Sequence, residues 1–277
     1  MNRIWLRRLS LGLLALTLVA CATSVVTGRR QFMIVSEDSA IAASQQAYAQ
    51  QVNELSDAGK LSTDKALIKR IERITGKLVA QAIKYRPETE NWQWSVAVIN
   101  DPETVNAYCM AGGRMAIYTG LVQKLNATDD EIAQVMGHEI AHALAAHTAE
   151  KMSTHLVVNG LVLGTAVATD MDNRSVIGAA ALANVALALP NSRQMEADAD
   201  RIGIEIAAKA GFDPQAAVTL WQKMAKESGN NGFEFLSTHP APERRQKELQ
   251  KLVPQMMPYY QDQSPRPTFP LKTVHSV

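Results

Sequence analysis

The stretch that decides the fold is residues 128–147, which read TDDEIAQVMGHEIAHALAAH. Thr128, followed three residues later by Glu131, is a capping box, the pattern in which each side chain caps a backbone amide of the first helical turn. It predicts a long helix that begins here and runs to about residue 152. Most positions after the cap are apolar, so we expect this helix to be buried in the core of the domain.

Two histidines and a glutamate in this helix predict a metal site. His138 and His142 are four residues apart, so both imidazoles lie on one face of the helix and can aim at one point. Glu139 lies about 100° further around the helix axis, within reach of a water at that point. His-Glu-x-x-His is the zinc-peptidase arrangement, in which the glutamate is the general base. A chance match is disfavoured because such groups are costly to bury without a shared partner. We therefore expect one Zn²⁺ per chain.

A catalytic zinc site needs a third protein ligand. His147 is nine residues after His138, which places it on the opposite side of an unbroken helix, so we reject it as a ligand. A histidine six residues after His142 would be another candidate, but that position holds Thr148.

A second pair of polar residues lies further along the chain. Glu196 and Asp200 are four residues apart in a predicted helix at about 191–210. This spacing suits Glu196 as the third ligand and Asp200 as the acceptor of a hydrogen bond from a ligand histidine. A solvated acidic helix face is the alternative that the spacing leaves open. It explains Asp198, but not acids placed within the apolar Ala/Ile-rich stretch.

The rest of the chain predicts a helix-rich α+β domain. With 47% hydrophobic residues it can form a full core, and a formal net charge of +1 argues against a nucleic-acid partner. Further helices are predicted at about 36–55, 63–85, 214–227 and 242–252, and strands at 92–98, 104–108 and 114–119. Two apolar runs, 155–169 and 176–189, predict a buried helical hairpin, with a membrane-facing or gating flap as the alternative.

The N-terminus resembles a bacterial lipoprotein signal. Three arginines precede an apolar run, and Cys21 follows a small residue. The apolar run is too short to span a bilayer, which disfavours an uncleaved anchor. We therefore predict a signal peptide at 1–20, lipidation of Cys21, a tether at 21–35, the catalytic domain at 36–252 and an irregular, proline-rich tail at 253–277. The expected location is the periplasm, anchored by lipid to the outer membrane.

Four motifs in order resemble metallopeptidase family forty-eight over roughly residues 27–252. They are the His-Glu-x-x-His helix, Ser192-Arg193 with the Glu196–Asp200 run, Ser237-Thr238-His239-Pro240 with Arg245, and the segment 105–121. The resemblance implies a gluzincin-type zinc peptidase domain, with a small mixed sheet packed on the metal-binding helix. It also implies that Glu196 is the third ligand. His239 would either stabilise the tetrahedral intermediate or occupy the open zinc position at rest, and Arg245 would pair with acids near the site.

The segment 105–121 resembles the family's active-site edge strand. The resemblance implies that Asn106, Ala107, Gly112 and Gly113 bind an extended substrate as an added strand, through main-chain hydrogen bonds. The implied activity is cleavage of unfolded or misassembled envelope proteins, with the outer-membrane assembly machinery as a candidate partner. Two alternatives stay open: a chaperone or assembly factor with little peptidase activity, and a zinc hydrolase acting on non-peptide bonds.

Overall fold

The computed structural model describes residues 21–160, 173–227, 233–240 and 243–274, so the predicted signal peptide at 1–20 lies outside the described residues. The helices are α1 (Glu37–Asp57), α2 (Lys65–Tyr85), α3 (Thr119–Lys124), α4 (Asp129–Leu144), α5 (His147–Gly160), α6 (Asn173–Ala188), α7 (Arg193–Ala210), α8 (Gln215–Glu227), α9 (Glu234–Thr238) and α10 (Glu243–Gln261). The strands are β1 (Cys21–Thr23), β2 (Arg30–Phe32), β3 (Ser95–Ile99), β4 (Ala107–Met110), β5 (Arg114–Tyr118) and β6 (Lys272–Thr273).

The central sheet is small and mixed, as predicted. Its strand order is β4-β5-β3-β6, with β4 at an edge. Strand β5 pairs antiparallel with β4 and parallel with β3, and β6 pairs parallel with β3. The predicted alternation from Trp92 overestimated the first strand, because β3 begins only at Ser95 and all five of its residues are buried. The indole of Trp94 instead donates a hydrogen bond to the carbonyl of Thr89 at 2.8 Å.

Helix α4 lies at the centre of the domain, between the sheet and helices α2, α7 and α8. Its Thr128 capping box is present as predicted. Ile132, Met136 and Ile140 are fully buried, and each contributes about 1.5–3 kcal/mol through the hydrophobic effect. A second apolar cluster joins α1, α6 and part of β4. The predicted metal-binding motif therefore lies on a helix that is buried along most of its length.

The prediction of one helix from residue 128 to 152 is wrong, because the helix breaks after Leu144. Ala146 has a φ of 55°, a left-handed conformation that does not continue a helix, and α5 begins at the next residue. Distant side chains satisfy the carbonyls at the break. Gln31 donates to the carbonyl of Ala145 and Arg86 to that of Leu144, both at 2.8 Å. Since these partners come from other parts of the chain, no local signal marks the break.

The predicted helical hairpin corresponds to α5 and α6, which pack against each other, while α6 also packs on α1. Ala180, Ala183 and Ala186 are buried on the inner face of α6. Val158, near the end of α5, is 60% exposed, and residues 161–172, which join the two helices, lie outside the described residues. In the described part of the chain, each helix is too short or too polar to cross a membrane.

Both segments that flank the helical domain are more ordered than the sequence predicts. The expected tether contains a hairpin of β1 and β2, whose Gln31 is 3% exposed. The expected irregular tail begins inside α10, which continues through Pro254 and Pro258. Buried Val253 and Met256 hold this part of the helix on the core, and their burial offsets the amide hydrogen bonds that the prolines remove.

Candidate metal centre

Four buried side chains converge on one point between α4, α7 and the end of α9. One potential ligand atom from each of His138, His142, Glu196 and His239 lies within 4.8 Å of every other. The Nε2 atoms of His138 and His142 are 3.1 Å apart, and the Glu196 carboxylate lies 3.4 Å from the first and 3.3 Å from the second. Two imidazoles and a carboxylate are a donor set that suits zinc.

The buried Glu139 lies beside this cluster. Its Oε1 receives no hydrogen bond from the part of the chain that the structure describes. His239 Nε2 is 3.5 Å from that oxygen. A buried carboxylate oxygen without a donor is costly unless it meets a water, a substrate proton or a cation. The two imidazoles and the Glu196 carboxylate therefore fit a metal ion. The unpaired Glu139 Oε1 fits a water molecule beside that ion.

Asp200 and Arg245 hold the far side of the His138 ring. Asp200 Oδ1 lies 3.0 Å from His138 Nδ1, the nitrogen that faces away from the cluster. Arg245 donates two hydrogen bonds to the Asp200 carboxylate, at 2.8 and 2.6 Å, and also pairs with Glu196. All of these side chains are buried. The arrangement fixes the His138 ring with Nε2 toward the cluster.

The break after α4 brings His147 close to His142, although His147 does not join the four converging side chains. Its Nδ1 lies 2.8 Å from His142 Nδ1, the nitrogen that faces away from the cluster. Asp198, for which a solvated helix face was the alternative explanation, is also buried, and its carboxylate accepts a hydrogen bond from Arg29 at 2.9 Å. Neither contact is predictable from local sequence, because one depends on the break and the other on the N-terminal hairpin.

His239 lies inside the cluster rather than at its edge. Its Nδ1 is 3.0 Å from Glu196 Oε1, and its ring stacks on Phe235 with centroids 4.3 Å apart. Asn191 is a further neighbour that the sequence analysis missed. Its Nδ2 donates to Glu196 Oε1 at 2.7 Å and lies 3.2 Å from His239 Nδ1. Only its position one residue before the Ser192 helix cap could have drawn attention to it.

The ionisable groups of the cluster have strongly shifted pKa values. Burial favours the neutral His138 ring, but the carboxylates of Glu196 and Asp200 outweigh it and raise the pKa of His138 to about 9. Burial lowers the pKa of His142 well below its ordinary value. It also raises the pKa of Glu139, an effect that His239 and His138 partly oppose. Burial likewise opposes ionisation of Glu196, yet the surrounding histidines hold its pKa well below the usual range.

Residues 63–253 match the model of Peptidase family M48. The chain belongs to peptidase family M48. Among its relatives, the mitochondrial metalloendopeptidase OMA1 of Saccharomyces cerevisiae is 38% identical over 210 residues, which are 69% of this chain and 57% of the relative. OMA1 of Schizosaccharomyces pombe is 32% identical, over 83% of this chain and 66% of the relative. The beta-barrel assembly-enhancing protease of Escherichia coli is 27% identical, over 75% and 43%.

These comparisons confirm the predicted family and, with it, a metallopeptidase domain. The chain spans between about a third and two thirds of the length of the first relatives it matches. The predicted periplasmic, lipid-anchored location is wrong, because the relatives with the higher identities are mitochondrial by name. An N-terminal segment with several arginines and no acids does not identify a compartment, since mitochondrial transit peptides share that composition.

In this M48 domain, a cavity of about 370 Å³ leads from His239 to the beginning of β4. Asn106, Ala107 and Tyr108 line it, with polar residues of α1 on the opposite side. Gly112 and Gly113 do not line it. They form the turn after β4, with φ of 82° and 83°, where Gly112 packs on Ile41 and Gly113 on Trp94. The predicted substrate-binding residues therefore fall into two groups, of which only Asn106 and Ala107 reach the cavity.

Proposed function

We propose that this protein is a zinc-dependent endopeptidase that cleaves unfolded or misassembled polypeptides. The observation that carries the proposal is the convergence of His138, His142 and Glu196 next to the buried Glu139, whose Oε1 receives no hydrogen bond from the described residues. A structural zinc site has no use for a general base in that position. The metalloendopeptidase names of the OMA1 relatives support the same activity.

The residues have distinct roles in this proposal. His138, His142 and Glu196 hold one zinc ion, which when bound acts as a Lewis acid that activates water for attack on a peptide carbonyl. Glu139 accepts the proton from the attacking water at Oε1 and later donates it to the leaving amine. Burial raises the pKa of Glu139, which favours its return of the proton to the leaving amine. Asp200 and Arg245 keep the His138 ring oriented.

The cavity beside β4 supports an extended substrate. Among the described residues, strand β4 is at the edge of the sheet, so the side that faces away from β5 can pair with a substrate strand through main-chain hydrogen bonds. Asn106 and Ala107 lie where this edge meets the cavity, and His239 lies at the other end. Recognition through the main chain needs an unfolded segment and little side-chain specificity, which favours unfolded polypeptides as substrates.

A second candidate function is an assembly factor or chaperone with a latent peptidase site. The position of His239 favours it, because Nδ1 of this residue lies among the ligand atoms and could fill the open coordination position at rest. In an active enzyme the same residue would instead stabilise the charge that develops on the carbonyl oxygen.

The test compares the unaltered protein with Glu139→Gln, a substitution that preserves size. We expect both to bind one zinc ion, and only the unaltered protein to cleave casein, with a loss of about 10²–10⁴-fold in the variant. The exposed Glu103→Gln is the matched control and should cleave normally. Equal cleavage by Glu139→Gln would refute the proposed general base. If neither protein cleaves, His239→Ala decides: a gain of activity shows a latent peptidase site that His239 blocks, and continued inactivity favours an assembly factor without peptidase activity.

A further inference from the structure

Each of the two histidines proposed as ligands has one ring nitrogen that faces away from the cluster, and the two nitrogens meet different partners. His138 Nδ1 faces the carboxylate of Asp200, which Arg245 holds in turn. His142 Nδ1 faces not a carboxylate but the imidazole of His147, at 2.8 Å. The family motif accounts for the first arrangement, whereas nothing in the motif accounts for the second.

The second arrangement continues beyond His147 to another aspartate and another arginine. His147 Nε2 lies 3.8 Å from Asp198 Oδ2, which accepts a hydrogen bond from Arg29 Nε at 2.9 Å. Arg29 also donates two hydrogen bonds to Glu150, at 2.8 and 2.6 Å. Asp198 lies two residues before Asp200 on α7, so a single helix supplies the carboxylates of both arrangements.

We propose that His147 is a positioning residue that orients His142 for metal binding, and that Asp198 and Arg29 hold His147 in place. This inference rests on the zinc site of the proposed function. His147, Asp198 and Arg29 thus connect the metal centre to the N-terminal hairpin. Arg29 belongs to that hairpin, directly before β2.

The tautomers of the two rings follow from the geometry. A histidine that binds a metal through Nε2 carries its proton on Nδ1, and that N–H normally donates to an acceptor which fixes the ring. For His142 the atom in that place is His147 Nδ1, which must therefore accept. The proton of His147 is then on Nε2, which points toward Asp198. Nε2 has no hydrogen-bond partner in the described parts of the chain, so Asp198 is the charge that can attract its N–H.

The local backbone places His147 for this role. Ala146 has the left-handed conformation that ends α4 and starts α5, which is strained for a residue with a Cβ. His147 is the first residue of α5 and is only 1% exposed. In an unbroken helix, its side chain would point away from His142. The strained turn therefore places the His147 imidazole next to His142 Nδ1. His138 Nδ1, the corresponding nitrogen of the other ligand, faces the Asp200 carboxylate instead.

The experiment measures zinc affinity of the full chain, by competition with a chromophoric chelator, for three substitutions of His147. His147→Asn keeps an oxygen near the position of Nδ1 and can still accept from His142, whereas His147→Gln carries its polar atoms near the position of Nε2. His147→Ala removes the acceptor. We expect a loss of about 10–100-fold in zinc affinity for His147→Ala, a similar loss for His147→Gln, and retention of most of the affinity by His147→Asn.

Two controls separate positioning from general damage. His155→Ala, on the same helix, should keep the affinity of the unaltered protein. Urea unfolding of the metal-free proteins should give similar stability for His147→Asn and His147→Gln, so that their difference in affinity reflects the place of the acceptor. Equal affinity of His147→Ala and the unaltered protein would overturn the inference, as would equal losses for the Asn and Gln variants. If the unaltered protein itself binds no zinc, the proposed function fails instead.

Discussion

The raised pKa of His138 predicts that a metal ion must displace a proton from its ring. With a pKa raised to about 9 by Glu196 and Asp200, its ring is charged at pH 6.5 in the metal-free protein, whereas His142, whose pKa is lowered, is already neutral. Zinc binds only the neutral ring. We therefore expect zinc binding at pH 6.5 to release about one proton, and the apparent affinity to rise about tenfold per pH unit toward pH 9. Calorimetry in two buffers of different ionisation enthalpy measures the release.

Removing one of the two carboxylates should lower the pKa of His138. Asp200→Asn keeps the size of the side chain but loses part of the negative charge that raises the pKa of His138. At pH 8 this variant should therefore release a smaller fraction of a proton than the unaltered protein, while the exposed Asp57→Asn should release the same. Absence of proton release from the unaltered protein at pH 6.5 would mean that the His138 ring is neutral before the metal binds.

At the scale of elements, the contact between α4 and α7 sets the distance between the ligands. The helices cross at two glycines: a Cβ on Gly203 would lie 2.7 Å from the backbone nitrogen of His138, and one on Gly137 would lie 2.9 Å from the carbonyl oxygen of Gly203. Helix α4 carries the two histidines and α7 carries Glu196, so a larger residue at the crossing must separate the proposed ligands.

Gly203→Ala tests this contact. We expect the added methyl to destabilise the protein by about 1–3 kcal/mol, as overpacking does, and to weaken zinc binding because Glu196 moves away from the histidines. Urea unfolding and chelator competition measure the two effects. Gly178→Ala is the matched control, since its Cβ would meet nothing within 4 Å and alanine favours a helix by about 0.8–1 kcal/mol. Unchanged zinc affinity in Gly203→Ala would show that the crossing does not set the ligand spacing.

The elements also explain which parts of the structure the sequence could predict. The Thr128 capping box is a local signal, and the helix start that it predicts is present. The helix predicted at about 191–210 is also present, capped by Ser192 and ending at Ala210 before the left-handed Gly211. The spacing of four residues is also a local signal, and it correctly placed His138 with His142, and Glu196 with Asp200, on one face of a helix. The break at Ala146 depends on Gln31 and Arg86, which are distant in sequence. The contacts of His147 and Asp198 depend on that break and on the N-terminal hairpin, so no local pattern could reveal them.

At the scale of the whole molecule, the segment after α10 completes the sheet. It returns to α2, where Phe269 donates to the carbonyl of Gly76 at 2.9 Å and Thr273 donates to Glu72 at 3.0 Å. Val274 then donates to the carbonyl of Val96 in β3 at 3.0 Å. These contacts lie on the side of the sheet opposite to the β4 edge, so the segment should contribute to stability but not to metal binding.

Truncation after Gln261 removes these contacts. The three amide hydrogen bonds, two to main-chain carbonyls and one to the Glu72 carboxylate, contribute about 1 kcal/mol each. We therefore expect the truncated protein to lose about 3 kcal/mol of unfolding free energy and to keep its zinc affinity. Gly76→Ala supplies the decisive comparison, because its Cβ would lie 2.7 Å from the carbonyl oxygen of Phe269. The substitution should destabilise the full chain by displacing the segment, yet stabilise the truncated chain, where only helix propensity acts. Urea unfolding of the four proteins measures this reversal of sign. Destabilisation of equal size in both backgrounds would mean that the segment does not pack on α2 in solution.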